Sequence, residues 1–87
     1  MLTPIKMIPV VNKLNTGEVR SMKEQIGKRI RERRKELGIT QDKLATMCNV
    51  SRERISFIEN GKCNDILVST LTAIASALGT TVEFFLN

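Results

Sequence analysis

The stretch that decides the fold is GITQDKLATMCNVSRERISFIENGK, residues 38–62. Thr40 and Ser51 each stand directly before a short run of helix-forming residues, where a hydroxyl side chain serves as a helix N-cap. Asn60-Gly61 ends the second run, because both residue types readily adopt the backbone conformation that stops a helix. The pattern predicts two short helices joined by a tight turn, the first starting after Thr40 and running to about Met47 or Cys48, the second starting after Ser51 and running to about Ile58 or Glu59.

Apolar residues recur at helical spacing on both sides of this stretch. On the N-terminal side the spacing predicts a helix over about residues 23–37, with Gly38 as its C-terminal cap. On the C-terminal side it predicts a helix over about residues 67–78, ended by Gly79. The residues expected to face the core are Ile26, Ile30 and Leu37 in the first of these helices and Leu71, Ile74, Ala75 and Leu78 in the second.

The last stretch, residues 80–86, is compatible with a helix or a strand. Thr80-x-x-Glu83 matches a capping box and predicts a fifth helix, whereas the β-branched and Phe residues would also suit a strand. We expect the helix. Asp65 is a candidate cap for the preceding helix, and Ile66 beside it requires a cover to be removed from water.

Residues 1–21 differ from the rest, because their apolar residues follow no helical period. Asn15-Thr16-Gly17 is a turn signal between two short β-prone runs and indicates a weak hairpin, with a flexible arm as the alternative. Met22 suits the start of a compact domain. We therefore expect an N-terminal arm or weak hairpin over residues 1–21 and a compact helical domain, which contains the two short central helices, over residues 22–87.

The charge distribution favours a polyanionic partner. All 14 Lys and Arg residues lie between Lys6 and Lys62, and with seven acidic residues in that range its net charge is +7. Residues 63–87 carry only Asp65 and Glu83, so one part of the chain suits nucleic acid and the other suits packing against protein. An ordinary solvated basic surface is the alternative interpretation.

The composition argues against several other classes of protein. Histidine is absent, which counts against acid–base catalysis near neutral pH, and 87 residues leave little room for a cleft. Cys48 and Cys63 are too far apart for a Cys-x-x-Cys metal pair. No apolar run is long enough to span a membrane, and no signal peptide is evident. We expect a cytoplasmic protein that is not an enzyme and needs no metal or cofactor.

The central stretch resembles the lambda-repressor/Cro-like (XRE-type) helix-turn-helix regulators. The resemblance rests on Thr40-Gln41-x-x-Leu44-Ala45, on Ser51-x-x-x-Ile55-Ser56-x-Ile58-Glu59-x-Gly61 and on Leu78-Gly79-x-Thr81-Val82-Glu83, and covers about residues 23–86. It implies an all-α, lambda-repressor-like DNA-binding domain of four to five helices. Leu44, Ala45, Val50, Ile55 and Ile58 are then expected to lock the second short helix across the first.

The resemblance also implies roles in DNA binding. Gln41 would hold a phosphate at the start of its helix, and Asn60 and Lys62 would form a second phosphate clamp. Ser51 would cap the recognition helix, so that Arg52 and Glu53 face base edges in its first turn. Arg pairs bidentately with guanine, and Glu accepts from cytosine.

Two further residues, Phe57 and Arg54, complete the expected DNA-binding site. Phe57, one turn along, would meet a thymine methyl group, with a partly buried core position as the alternative. Arg54 would contact a phosphate or a base. The basic run from Lys28 to Lys35 is expected to be mostly solvated, except that the resemblance pairs Arg34 with Glu59 at the end of the recognition helix.

The function expected from these features is a dimeric transcriptional repressor acting on a short, near-palindromic double-stranded DNA operator. Three roles remain open: an antitoxin that autoregulates its operon, a phage-type repressor, and a controller protein of a restriction–modification system. The arm and the exposed apolar positions favour an antitoxin that also binds a toxin protein. The alternative from another class is a protein-interaction module without DNA binding.

Overall fold

The computed structural model describes the backbone of residues 16–87 and the side chains of residues 22–87. Within this part of the chain the regular structure consists of five α-helices and no strand. The helices are α1 (Thr16–Glu36), α2 (Gln41–Cys48), α3 (Arg52–Glu59), α4 (Val68–Ala77) and α5 (Val82–Leu86). The all-α class with a fifth helix is therefore confirmed.

Helix α1 begins at Thr16, seven residues before the expected start at Lys23. The turn and the second strand of the predicted hairpin are therefore wrong, since Thr16, Gly17 and the residues after them are helical. The physical reason is that Glu18, Arg20 and the polar residues that follow are good helix formers with no Pro among them. Residues 1–15, where the rest of the expected arm lies, fall outside the described residues.

The caps predicted around the two central helices are confirmed. Thr40 Oγ1 accepts a hydrogen bond of 3.0 Å from the Lys43 amide, and Ser51 Oγ accepts one of 3.1 Å from the Arg54 amide. Asn49 ends α2 in the left-handed conformation, with φ +59°. Its amide and that of Val50 bond back to α2 in a Schellman motif, which turns the chain within three residues into α3.

The expected caps of α4 and α5 are wrong. Asp65 does not cap α4, whose N-cap is Leu67 and has no side-chain hydrogen bond. Likewise Thr81, not Thr80, is the N-cap of α5, so the capping box does not form. The Thr80 amide is used to end α4, because it donates 2.9 Å to the Ala75 carbonyl behind the left-handed Gly79.

The core lies between α1 and the four shorter helices. Its fully buried large side chains are Phe85, Ile30, Leu44, Ile55, Ile58, Ile74 and Leu78. Ile26, Val50 and Ile66 are partly buried against it, so packing on the core provides the cover that Ile66 requires. Leu37 is exposed, contrary to expectation, because it lies just past the last residue of α1 and not on its core-facing side.

Gly27 sets the distance between α1 and α3. A Cβ at this buried position would lie 2.3 Å from the Ile58 carbonyl oxygen and 2.6 Å from that of Glu59. Only a residue without a side chain lets the two backbones approach so closely. This contact fixes the C-terminal end of α3 against α1.

Three side chains of α1 bind carbonyl groups at the C-terminal ends of α4 and α5. Arg33 Nε donates to the Leu78 carbonyl at 3.0 Å, and Arg29 Nη1 donates to the Phe84 carbonyl at 3.2 Å. Gln25 reaches the Asn87 carbonyl. Basic groups are favourable at helix C-termini, so part of the basic run in α1 holds the fold together and is not merely solvated.

Candidate nucleic-acid interface

Helix α3 has one face in the core and one face in water. Ile55 and Ile58 are fully buried beneath it, whereas Arg52, Glu53 and Phe57 are exposed on the other side. The buried residues and the Ser51 cap hold the backbone of α3, so its exposed side chains project from a fixed support. Such a helix can present side chains to a groove without being rearranged.

Arg52 and Glu53 both occupy the first turn of α3 and both are exposed. Arg52 Nε lies 3.4 Å from Asp42 Oδ1, in the first turn of α2. Glu53 accompanies it at the N-terminal end of the helix, where an acidic side chain is electrostatically favourable. The two residues expected to read bases therefore stand side by side at the junction of α2 and α3.

Arg54 is held differently from Arg52. Its Nη2 donates to the Asp65 carbonyl at 3.3 Å, and its Nη1 lies 3.8 Å from Asp65 Oδ1. Asp65 belongs to the loop between α3 and α4, so Arg54 ties that loop to the recognition helix. From the sequence, Arg54 was expected to contact either a phosphate or a base. Neither expectation included this bond to Asp65.

Phe57 is 56% exposed and does not belong to the core. The alternative of a partly buried core residue is therefore wrong. A large aromatic side chain on this face loses contact with water when another surface covers it. Phe57 is thus available to an apolar group such as a thymine methyl.

The residues expected at phosphates are the first residue of α2 and residues just past the end of α3. The Gln41 amide donates one of its two hydrogens to Glu59 Oε1 at 3.1 Å, which leaves the second hydrogen for an acceptor. Asn60 follows Glu59 in the chain, and its Nδ2 is 3.4 Å from Ser56 Oγ. Lys62 is exposed just beyond the left-handed Gly61.

Arg34 and Glu59 lie in contact beneath this surface. Arg34 Nε is 2.6 Å from Glu59 Oε2, its Nη2 donates to Glu59 Oε1 at 3.0 Å, and its Nη1 donates to the Ile39 carbonyl at 2.8 Å. Both side chains are almost completely buried. A bidentate geometry with extra hydrogen bonds is what a buried ion pair needs to offset its desolvation.

Sequence reasoning missed two features of this network. Gln41 joins it through Glu59, and Gly27 allows α1 close enough for Arg34 to reach. A Gly in the middle of a strongly predicted helix was a usable signal for the close approach, since Gly there costs about 1 kcal/mol against Ala. The bond from Gln41 to Glu59 had no local signal.

The described residues lack the features of a metal site and of a membrane-spanning helix. No group of His, Cys, Asp or Glu in this part of the chain has the arrangement of a metal site. Cys63 is buried, and partial burial raises the pKa of the Cys48 thiol. None of the helices in the described range combines the length and apolar character needed to cross a bilayer.

The described residues form five helices, in which a tight turn joins α2 to α3 and the apolar side of α3 packs into the core. This arrangement defines a helix-turn-helix domain. The chain belongs to the helix-turn-helix family, whose model matches residues 30–85. Its relatives confirm the resemblance to lambda-repressor/Cro-like (XRE-type) regulators, a class of DNA-binding transcriptional regulators.

The chain is 46% identical over 58 residues to the immunity repressor protein of Bacillus phage phi105. The match covers 67% of this chain and 40% of that repressor, so the chain spans less than half of its relative's length.

Solved structures of two regulators share the fold. The clp gene regulator ClgR of Corynebacterium glutamicum has a TM-score of 0.71 at 29% identity, with 75% of this chain and 68% of that chain covered. The restriction–modification controller protein C.AhdI of Aeromonas hydrophila has a TM-score of 0.68 at 26% identity, with 71% and 92% covered. The fold also occurs within hydroxypropylphosphonic acid epoxidase of S. wedmorenis, at 22% identity over 34% of that chain and a TM-score of 0.69, which is a likeness of fold alone.

Proposed function

We propose that this protein is a sequence-specific transcriptional repressor that binds a short, near-palindromic DNA operator as a dimer. The observation that carries the proposal is α3, whose apolar side is locked in the core while Arg52, Glu53 and Phe57 are exposed. A helix held in this way and headed by groups that recognise bases fits the major groove.

The proposed phosphate contacts lie near the C-terminal end of α3, where Gln41 bonds to Glu59. Gln41, with one amide hydrogen left, binds a phosphate, and Asn60 and Lys62 bind the backbone just past α3. Contacts of this kind fix the register of the protein on the duplex and carry no sequence information themselves. They leave Arg52, Glu53 and Phe57 as the base-reading group, joined by Arg54 only where its bonds to Asp65 open.

The proposed dimer uses the C-terminal third of the chain. Residues 63–87 contain no Lys or Arg, and Phe84 and Leu86 are exposed there. Phe85 and Val82 contribute little to this surface, because Phe85 is buried in its own protomer and Val82 is partly buried. Two recognition helices in a dimer would meet half-sites about 34 Å apart on one side of the duplex.

The proposal is tested by selecting sites from a randomised duplex library with the purified protein. We expect an enriched, near-palindromic site, bound by a dimer in sedimentation experiments. Enrichment of no sequence would refute specific binding. A monomer at micromolar concentration and also on the selected DNA would refute the dimer.

An antitoxin role is the second candidate, and it is favoured by exposed apolar side chains that the DNA-binding face does not need. These are Met22, Leu67, Val68, Phe84 and Leu86. Under this proposal the protein both represses and neutralises a toxin encoded beside it. Co-expression with the product of the adjacent gene tests this, since a repressor or controller protein alone forms no such complex.

The remaining alternatives make different predictions. A restriction–modification controller is supported by the similarity to C.AhdI, which this chain matches over 92% of its length. It would have an adjacent methyltransferase or endonuclease gene. A protein-interaction module without DNA binding would retain the partner complex but enrich no site from the library. We expect no catalytic activity and no requirement for a cofactor in either assay.

A further inference from the structure

Asp42 lies beside the arginine that begins the recognition helix. It occupies the first turn of α2, and its Oδ1 is 3.4 Å from Nε of Arg52, the first residue of α3. Both side chains are exposed, at 79% and 56%, so neither is needed to fill the core. The pair joins the two helices on their solvent-facing side.

The shortest contact joins the carboxylate to the Nε edge of the Arg52 guanidinium. Within residues 22–87 none of the guanidinium nitrogens makes a hydrogen bond, and Nε is the one nearest the carboxylate. Guanine offers O6 and N7 as a pair of acceptors for a bidentate arginine. An arginine held at Nε keeps its two terminal nitrogens for such a pair.

Arg54 shows the opposite arrangement two residues further on. Both of its terminal nitrogens face Asp65, in the loop after α3. An arginine whose terminal nitrogens are both engaged cannot use them to donate a bidentate pair of hydrogen bonds to a base. The nitrogens nearest the acidic residue, Nε in Arg52 and Nη1 and Nη2 in Arg54, thus distinguish the two arginines.

We propose that Asp42 is a positioning residue that determines specificity through Arg52. Its carboxylate holds Nε so that the terminal nitrogens point to guanine, and it repels nearby phosphates, which disfavours binding of Arg52 to the backbone of any sequence. The inference rests on the proposed DNA-binding function and assigns to Asp42 the role of keeping Arg52 available for base recognition.

The test compares Asp42→Asn with Glu36→Gln as a matched control. Glu36→Gln also removes one negative charge and one arginine partner, because the exposed Glu36 lies 3.3 Å from the partly buried Arg33 at the end of α1. Affinity is measured on the selected operator, on its single-base variants and on a scrambled duplex at several salt concentrations. Thermal melts establish that both variants are folded.

We expect Asp42→Asn to bind the scrambled duplex more tightly and to lower the preference for guanine at one operator position, each by about three-fold, as the energies of exposed ion pairs allow. Glu36→Gln is expected to change operator and scrambled DNA alike. In an Arg52→Ala background Asp42→Asn should leave the base preference unchanged, because the residue it positions is absent.

Equal effects of Asp42→Asn and Glu36→Gln on the ratio of operator to scrambled affinity would overturn the inference. A change of base preference that persists without Arg52 would overturn it as well. In both cases the wild-type protein would still select an operator, so the proposed function would stand. If the wild-type protein selected no sequence, the proposed function and the role of Asp42 would fail together.

Discussion

Two arginine–carboxylate pairs, one buried and one exposed, lie at the two ends of α3. Arg34 and Glu59 meet at 2.6 Å with their side chains 10% and 1% exposed, where α1 crosses the end of α3. Arg52 and Asp42 lie 3.4 Å apart in water at the start of α3. The residue types are the same, but the surroundings differ.

The difference in burial separates a structural pair from one that remains available to a ligand. When one partner of a buried pair is removed, the other remains as an unpaired charge in the protein interior. The free energy of unfolding therefore falls strongly. An exposed pair exchanges easily with water and is worth about 0–1 kcal/mol, so its partners can turn to DNA at little cost. Mutations at the two pairs should therefore affect different properties.

The largest effect is expected at the buried pair. Arg34→Ala should lower the free energy of unfolding by about 3 kcal/mol or more, because it strands Glu59 and removes the bond to the Ile39 carbonyl. Chemical denaturation measures the loss, and Lys35→Ala, at an exposed neighbouring position, is the control. A loss under 1 kcal/mol would show that this pair behaves like the exposed one.

Gly27→Ala tests the same buried region, where α1 packs against the end of α3. The added methyl group would overlap the Ile58 and Glu59 carbonyls, so α1 must move away from α3. We expect a loss of about 2 kcal/mol in the free energy of unfolding, since overpacking outweighs the gain in helix propensity. Lys28→Ala serves as the control on the exposed side of α1. Unchanged or increased stability would contradict the close approach.

At the exposed half the effects should appear in binding. Arg52→Ala is expected to cost about 1–3 kcal/mol on the operator and little on scrambled DNA, because it removes a base contact. Lys62→Ala should weaken both DNAs alike and flatten the salt dependence by nearly one unit of slope, because it removes a phosphate contact. Neither exposed position should affect folding much.

Salt titrations of both variants on both DNAs distinguish these outcomes. If Arg52→Ala and Lys62→Ala lost affinity equally on operator and scrambled duplex, α3 would bind phosphates only. The assignment of base recognition to Arg52 would then be wrong, and the exposed pair would have no part in specificity.

The smallest effect on stability is expected from deleting residues 1–21. Within residues 22–87 the core side chains lie between Ile26 and Phe85, so the melting temperature of the remaining domain should stay nearly unchanged even though residues 16–21 of α1 are removed. Binding to the operator should also be retained, whereas a protein partner that uses the arm would be lost. A large drop in the melting temperature would show that residues 1–21 pack on the core.

The boundaries of α2 and α3 could be read from the sequence, because caps and stops act within a few residues. Thr40 and Ser51 bond to amides three positions ahead, and Gly38 and Gly61 adopt the left-handed conformation that ends a helix. The start of α1 was missed because Asn15-Thr16-Gly17 is a turn signal only when strands pair around it. The helix-forming residues that follow it favoured a longer α1 instead.

The sequence by itself determined the fold class, the core-facing residues of the central helices and the stretch that forms the recognition unit, since periodicity and capping are local properties. Apart from the Arg34–Glu59 pair, which the family resemblance implied, only the tertiary structure decided the polar partners. Gln41 bonds to Glu59, Arg54 turns to Asp65, and Arg52 lies against Asp42. These partners lie 10 to 18 positions apart in the chain, on different helices or in a loop, and the packing of α1, α2 and α3 brings them within reach. Polar contacts of this kind depend on distances of a few ångströms, which no pattern along the chain specifies.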